Sequence, residues 1–167
     1  MFLVSKFKHQ VVFVLAFTAM VGAAGCSKQQ KGDDTNTPNS ASADENTLGD
    51  SDNGKASGLQ TVHYPYDSFV LDSSGKDTLK ANAQILKDHS SLKIQVEGHC
   101  DQRGGIQYNI ALGEKRANSA KKFLEDQGVS ADRVTTVSYG KERPMDPGTS
   151  EEAYAKNRRA NFVITAK

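Results

Sequence analysis

Residues 27–60, "SKQQKGDDTNTPNSASADENTLGDSDNGKASGLQ", hold only two large apolar side chains, Leu48 and Leu59, among Ser, Asn, Asp, Gly and Thr. A stretch of this composition buries too little apolar surface to offset the entropy lost on ordering it. Any core must therefore come from the chain beyond Gln60. Residues 26–60 read as a flexible tether, with an rms span on the order of 30 Å by random-coil scaling. Residues 61–167 are left as one folded domain, long enough for a single core and no more.

Before the tether lies a different chemistry. "MFLVSKFKHQ" carries Lys6 and Lys8, and "VVFVLAFTAMVGAAG" then runs apolar. A basic start, a short apolar run and small residues before a break predict an export signal over residues 1–25. The run is shorter than the roughly 20 residues needed to span a bilayer, so a retained membrane helix is the weaker reading. "AAGC" ends on Cys26, and small residues before a cysteine resemble the lipobox of bacterial lipoproteins. That resemblance implies cleavage before Cys26, a diacylglycerol on its sulfur and a further acyl chain (palmitate in many lipoproteins) on its new amino group. Ala23 stands where the lipobox usually has Leu, which keeps ordinary signal-peptidase cleavage open. Several chains on one residue anchor stably, where a single chain binds only marginally. Ser27, rather than Asp, follows the cysteine and resembles the pattern of lipoproteins sorted to an outer membrane. With Cys26 lipidated, Cys100 has no intramolecular partner.

Charge narrows the function classes. Lys+Arg 21 against Asp+Glu 20 leaves a net charge of +1, and no basic run is interleaved with aromatics, so nothing points to nucleic acid.

Within the domain, "TVHYPYDSF" (61–69) predicts an opening strand. "SSGKDTLKANAQILKDHSS" (73–91) predicts a helix, with Ser74 and Asp77 as a capping box and Leu79, Ala83 and Leu86 at helical spacing. "SLKIQVEGH" (91–99) alternates, Ile94, Val96 and Gly98 facing one way and Lys93, Gln95 and Glu97 the other, as in a half-buried strand. "YNIALGEKRANSAKKFLEDQG" (108–128) is a second helix stopped by Gly128, "DRVTTVSYG" a third strand, "SEEAYAKNRR" a short helix capped by Ser150, and "ANFVITA" a closing strand. The order β-α-β-α-β-(α)-β predicts an α/β (α+β) two-layer sandwich, with helices on one face of a mixed sheet.

The stretch "VEGHCDQRGG" (96–105) places His99, Cys100 and Asp101 side by side. Adjacent strand residues point to opposite faces, so these three cannot converge on one metal ion, nor form a nucleophile–base pair. His63 and His89 lie on other elements. No metal and no cofactor are expected. Cys100 shares parity with Ile94 and Val96 and reads as a small buried residue, and His99 as a brace. Asp101 precedes a loop with Gly104 and Gly105 that delivers a helix N-terminus, where Asn109, Leu112 and Arg116 share one face. Gly113 in mid-helix costs roughly 1 kcal/mol against Ala, and a close approach of another group would account for it. Asp101 and Arg116 suit a zwitterion, Asp101 accepting from an ammonium and Arg116 gripping a carboxylate. From spacing alone, an ordinary strand-to-helix salt bridge is the favoured account of the two.

These residues carry a resemblance. "VEGHCDQRGGIQYNIALGEKRANSAKKFL", "GVSADRVTTVSYGKERP" and "EEAYAKNRRA" closely resemble the OmpA-like C-terminal domain family, and within it the peptidoglycan-associated lipoproteins, over residues 60–167. The resemblance implies non-covalent, non-enzymatic binding of peptidoglycan through the diaminopimelate of its stem peptide. The family's Gly-His-x-Asp, Asn, Leu and Arg fall on Gly98, His99, Asp101, Asn109, Leu112 and Arg116, so the resemblance implies that Asp101 and Arg116 hold the amino-acid end of diaminopimelate. Arg158, in Asn157-Arg158-Arg159, matches a pocket-wall position. Two departures stand out: Tyr64-Pro65, with Asp67 two residues on, where the family has an aromatic followed by Asp, and Cys100 where Ala or Thr is common. The resemblance further implies an outer-membrane lipoprotein facing the periplasm, a place in the Tol–Pal system of envelope integrity and cell division, and TolB as a partner. An OmpA-like lipoprotein without a Tol partner and a peptidoglycan-acting enzyme are the alternatives.

Overall fold

The computed structural model describes residues 48–167. The export signal, Cys26 and the first part of the tether lie outside the described residues. Strands β1 (Gly49–Asp50), β2 (Val62–His63), β3 (Lys93–His99), β4 (Val134–Gly140) and β5 (Arg159–Ala166) alternate with helices α1 (Ser73–Asp88), α2 (Ile106–Asp126) and α3 (Glu151–Asn157). The strands form one mixed sheet in the order β1-β5-β3-β4, with β2 also paired to β5. β3 and β4 run parallel, as a crossover through α2 requires, and β5 runs antiparallel between β3 and the two short strands. This is the expected mixed α/β architecture.

The alternation of β3 has a direct consequence. Ile94 and Val96 meet Leu79, Leu86, Ala117, Ala120 and Leu124 of α1 and α2 in one cluster with Phe162 and Ile164 of β5. Leu79, Leu86, Leu124 and Phe162 are fully buried, each contributing roughly 1.5–3 kcal/mol of apolar burial. At the end of β3 the sheet and α2 come into backbone contact: a Cβ on Gly98 would stand 1.8 Å from the Gly113 carbonyl oxygen, and one on Gly113 would stand 2.3 Å from Ser138 Oγ. That contact is the close approach that keeps glycine in mid-helix.

Local detail departs from expectation in three places. The cap of α1 is Asp72, which accepts from the Gly75 N–H at 2.7 Å; Ser74 lies inside the first turn. The opening strand stops at His63, because Pro65 has no N–H to give and Asp67 adopts φ 51°. The folded region also begins earlier than Thr61. Gly49–Asp50 pair with β5, and Ala56 and Leu59 are buried in the core, so residues 48–60 belong to the domain and not to the tether.

A polar network holds this early segment. Ser51 Oγ donates to Asn161 Oδ1 (2.7 Å) and accepts from Phe162 N–H (2.9 Å), while Arg159 Nε donates to Asp52 Oδ2 (2.8 Å). Asn161 donates to Glu97 (3.1 Å), whose Oε2 lies 3.4 Å from His99 Nε2. Glu97, expected on the solvent face, is consequently buried.

Candidate functional site

The loop after β3, the first half of α2 and the loop after β2 enclose a cleft of about 170 Å³, lined among others by Asp67, Cys100, Asp101, Arg103, Leu112 and Arg116. Asn109 and Tyr108 also line it. The pleat of β3 does not run on through Asp101. A register irregularity against β4 falls between Gly98 and His99, after which Cys100 and Asp101 both reach the cleft, whereas His99 turns to Glu97 and the Tyr139 ring (5.6 Å between centroids). Cys100 is a buried free thiol that donates to the Asn109 carbonyl at 3.3 Å, and burial pushes its pKa up. It fills space.

Arg116 forms one wall. It is 1% exposed, and its guanidinium donates to three backbone carbonyls: Ser68 (Nε, 2.8 Å), His99 (Nη1, 2.9 Å) and Pro65 (Nη2, 3.2 Å). Burial pulls its pKa down. Among the described residues no carboxylate lies within ion-pair distance of it; the ion pairs of the cleft belong to Arg103 and Arg158. Three of the five guanidinium N–H groups go to backbone carbonyls, and one on each terminal nitrogen does not. The direct Asp101–Arg116 salt bridge that spacing allowed is not formed.

Asp101 is held from two other sides. Arg103 donates to it from Nη2 (2.6 Å), Nε (3.2 Å) and its backbone N–H (3.1 Å), and Arg158 Nη1 donates at 3.3 Å. Burial raises the carboxyl's pKa, but these bonds outweigh it and hold Asp101 below its ordinary value. Arg158 therefore sits behind Asp101, tied also to Glu151 (2.8 Å) and the Tyr64 carbonyl (3.2 Å). It braces the carboxylate and is not part of the cleft lining. Asn109 is a brace as well, donating to the carbonyls of Arg103 (2.7 Å) and Gly105 (3.1 Å). Leu112 supplies an apolar floor between the two charges.

The OmpA family model matches residues 63–158. The chain belongs to the OmpA family. Within it the relatives are peptidoglycan-associated lipoproteins. That of Buchnera aphidicola is 45% identical over 103 residues, 62% of this chain and 60% of that protein, so the match spans about three-fifths of this relative's length. That of Pasteurella multocida is 36% identical over 151 residues, 90% of this chain and 94% of that protein. The crystal structure of the Burkholderia pseudomallei peptidoglycan-associated lipoprotein is 38% identical with a TM-score of 0.60, covering 62% of this chain and 88% of that one.

In this OmpA-family cleft two side chains, Arg103 and Asp67, take parts that the spacing did not assign them. Arg103 lies between the rings of Tyr66 (4.2 Å) and Tyr154 (4.4 Å). Asp67, on the opposite lip, accepts from the Tyr108 hydroxyl. The signal for Asp67 was present in the departure at Tyr64-Pro65: the carboxylate absent there reappears two residues on, beyond the turn that Pro65 starts. Nothing in the spacing of "CDQRGG" pointed Arg103 back onto Asp101, since that depends on the turn the loop makes.

Proposed function

We propose that this protein binds peptidoglycan non-covalently through the cleft, with the amino-acid end of diaminopimelate as the recognised group. The observation that carries this reading is Arg116: a buried cation opening on a cleft, with two N–H groups not committed to the backbone and, among the described residues, no carboxylate paired with it. A ligand carboxylate supplies that charge in a bidentate contact. The ligand ammonium then lies across the floor of Leu112, toward Asp101, with Asp67 on the facing lip. The names of the relatives, peptidoglycan-associated lipoproteins, support the same reading.

Around that site we infer a lipoprotein acylated at Cys26, anchored in the outer membrane, its domain in the periplasm, linking that membrane to the cell wall in the Tol–Pal system with TolB as a partner. No catalytic step is assigned to the cleft. Co-sedimentation with purified sacculi tests the core of this proposal: Asp101→Ala and Arg116→Ala are expected to abolish it while thermal unfolding shows a folded domain, and retention by both folded variants would place the site elsewhere. Release of soluble muropeptides by the purified protein would instead make it an enzyme. Labelled palmitate incorporation lost in Cys26→Ser checks the anchor, and a pull-down with TolB checks the partner.

A further inference from the structure

Asp101 is not free to receive a ligand. Its two oxygens are occupied by the Arg103 fork, by the Arg103 N–H and by Arg158. The two arginines are held differently. Arg158 is buried and tied to Tyr64 and Glu151 as well as Asp101. Arg103 has a side chain 35% exposed, lies at the cleft wall, and has a second carboxylate in reach, Glu151 at 3.4 Å from Nη1. Its guanidinium carbon lies 4.2 Å from the Tyr66 ring centroid and 4.4 Å from that of Tyr154, two aromatic contacts separate from the bond to Asp101.

We propose that Arg103 is a specificity-determining residue: its guanidinium occupies the ammonium position on Asp101 and must be displaced toward Glu151 before a ligand can bind. This inference rests on the proposed function and deepens it. An amine alone exchanges one cation on Asp101 for another and gains little. A zwitterion also brings a carboxylate to Arg116, and only that second contact makes the exchange favourable. The cleft thus selects an ammonium and a carboxylate on one carbon and rejects plain amines, although it presents a carboxylate of its own.

The test uses Arg103→Met, whose apolar stem still fits between the two rings while Arg158 and the backbone N–H keep hold of Asp101. Binding of meso-diaminopimelate and of 1,5-diaminopentane is measured by calorimetry for the unsubstituted protein and for R103M, both checked for folding by thermal unfolding. Removing a competing partly exposed ion pair should tighten diaminopimelate about fivefold, and diaminopentane should show no measurable affinity for the unsubstituted protein but should bind R103M. In the unsubstituted protein the Arg103 Nε–H resonance should shift on adding diaminopimelate. Weaker binding by R103M would make Arg103 a ligand contact, and unchanged binding would make it a bystander; either overturns the proposal. If the unsubstituted protein holds sacculi and R103M shows no gain, the competitor alone fails; if neither protein holds sacculi or diaminopimelate, the peptidoglycan reading fails with it.

Discussion

Arg116 joins three carbonyls that come from two separate segments, Pro65 and Ser68 in the loop after β2 and His99 at the end of β3. A lysine carries the same charge on a single nitrogen and cannot span them. Arg116→Lys is therefore expected to lose sacculus binding and also about 2 kcal/mol of stability, from the carbonyls it leaves unpaired; urea unfolding and co-sedimentation check the two losses separately. His99 makes a pH prediction. Burial depresses its pKa below 6.5, against the pull of Glu97, so the native ring stays neutral where the unfolded one takes up a proton. Its contribution to stability is present above about pH 6.5 and falls away as pH drops through the depressed native value. Unfolding free energy measured at pH 7.5, 6.5 and 5.5 should decline across that series, and His99→Asn should flatten the decline.

At the level of elements, the contact between β3 and α2 leaves no room for a side chain. Gly98→Ala and Gly113→Ala each drive a methyl into backbone or Ser138, and a loss of about 3 kcal/mol is expected in denaturant unfolding. Because the same contact sets the distance from Asp101 to Arg116, these variants should weaken sacculus binding even where they fold. The caps give a sharper comparison. Asp72→Ala removes the bond to Gly75 and should cost about 1 kcal/mol, while Ser74→Ala should change stability by only a few tenths. Sequence spacing singled out Ser74 because a serine three residues before an acid fits a capping box. Asp72 won because its extended backbone, φ −78° and ψ −176°, aims its carboxylate at the open N–H.

Across the whole domain, residues 48–60 cover the outer edge of β5 beside β2: β1 pairs with one end of β5, and Ser51 and Asp52 bond to Asn161 in the gap between β1 and β2. A fragment of residues 61–167 keeps α1, α2 and most of the sheet but loses β1, the Asp52 partner of Arg159 and the buried side chains of Ala56 and Leu59, and the burial of Leu59 alone is worth roughly 1.5–3 kcal/mol. Its melting temperature is expected to fall well below that of a fragment of residues 48–167, by calorimetry. Equal values would show that the early segment adds nothing to the fold.

The sequence by itself determined the architecture, because period and composition are local properties. The alternation of Ile94 and Val96, the helical spacing of Leu79, Ala83 and Leu86, and the polar tract before them decide which faces are buried and where a core can lie. The same locality made Asn109, Leu112 and Arg116 legible as one face of a helix. What only the tertiary structure decided is what those side chains meet. Arg103 folding back onto Asp101, Arg158 arriving from 57 positions away, and Gly49–Asp50 finding β5 all depend on loops and distant segments brought together. Such contacts leave no period in the chain, since the partners share a place in space and not a spacing in sequence.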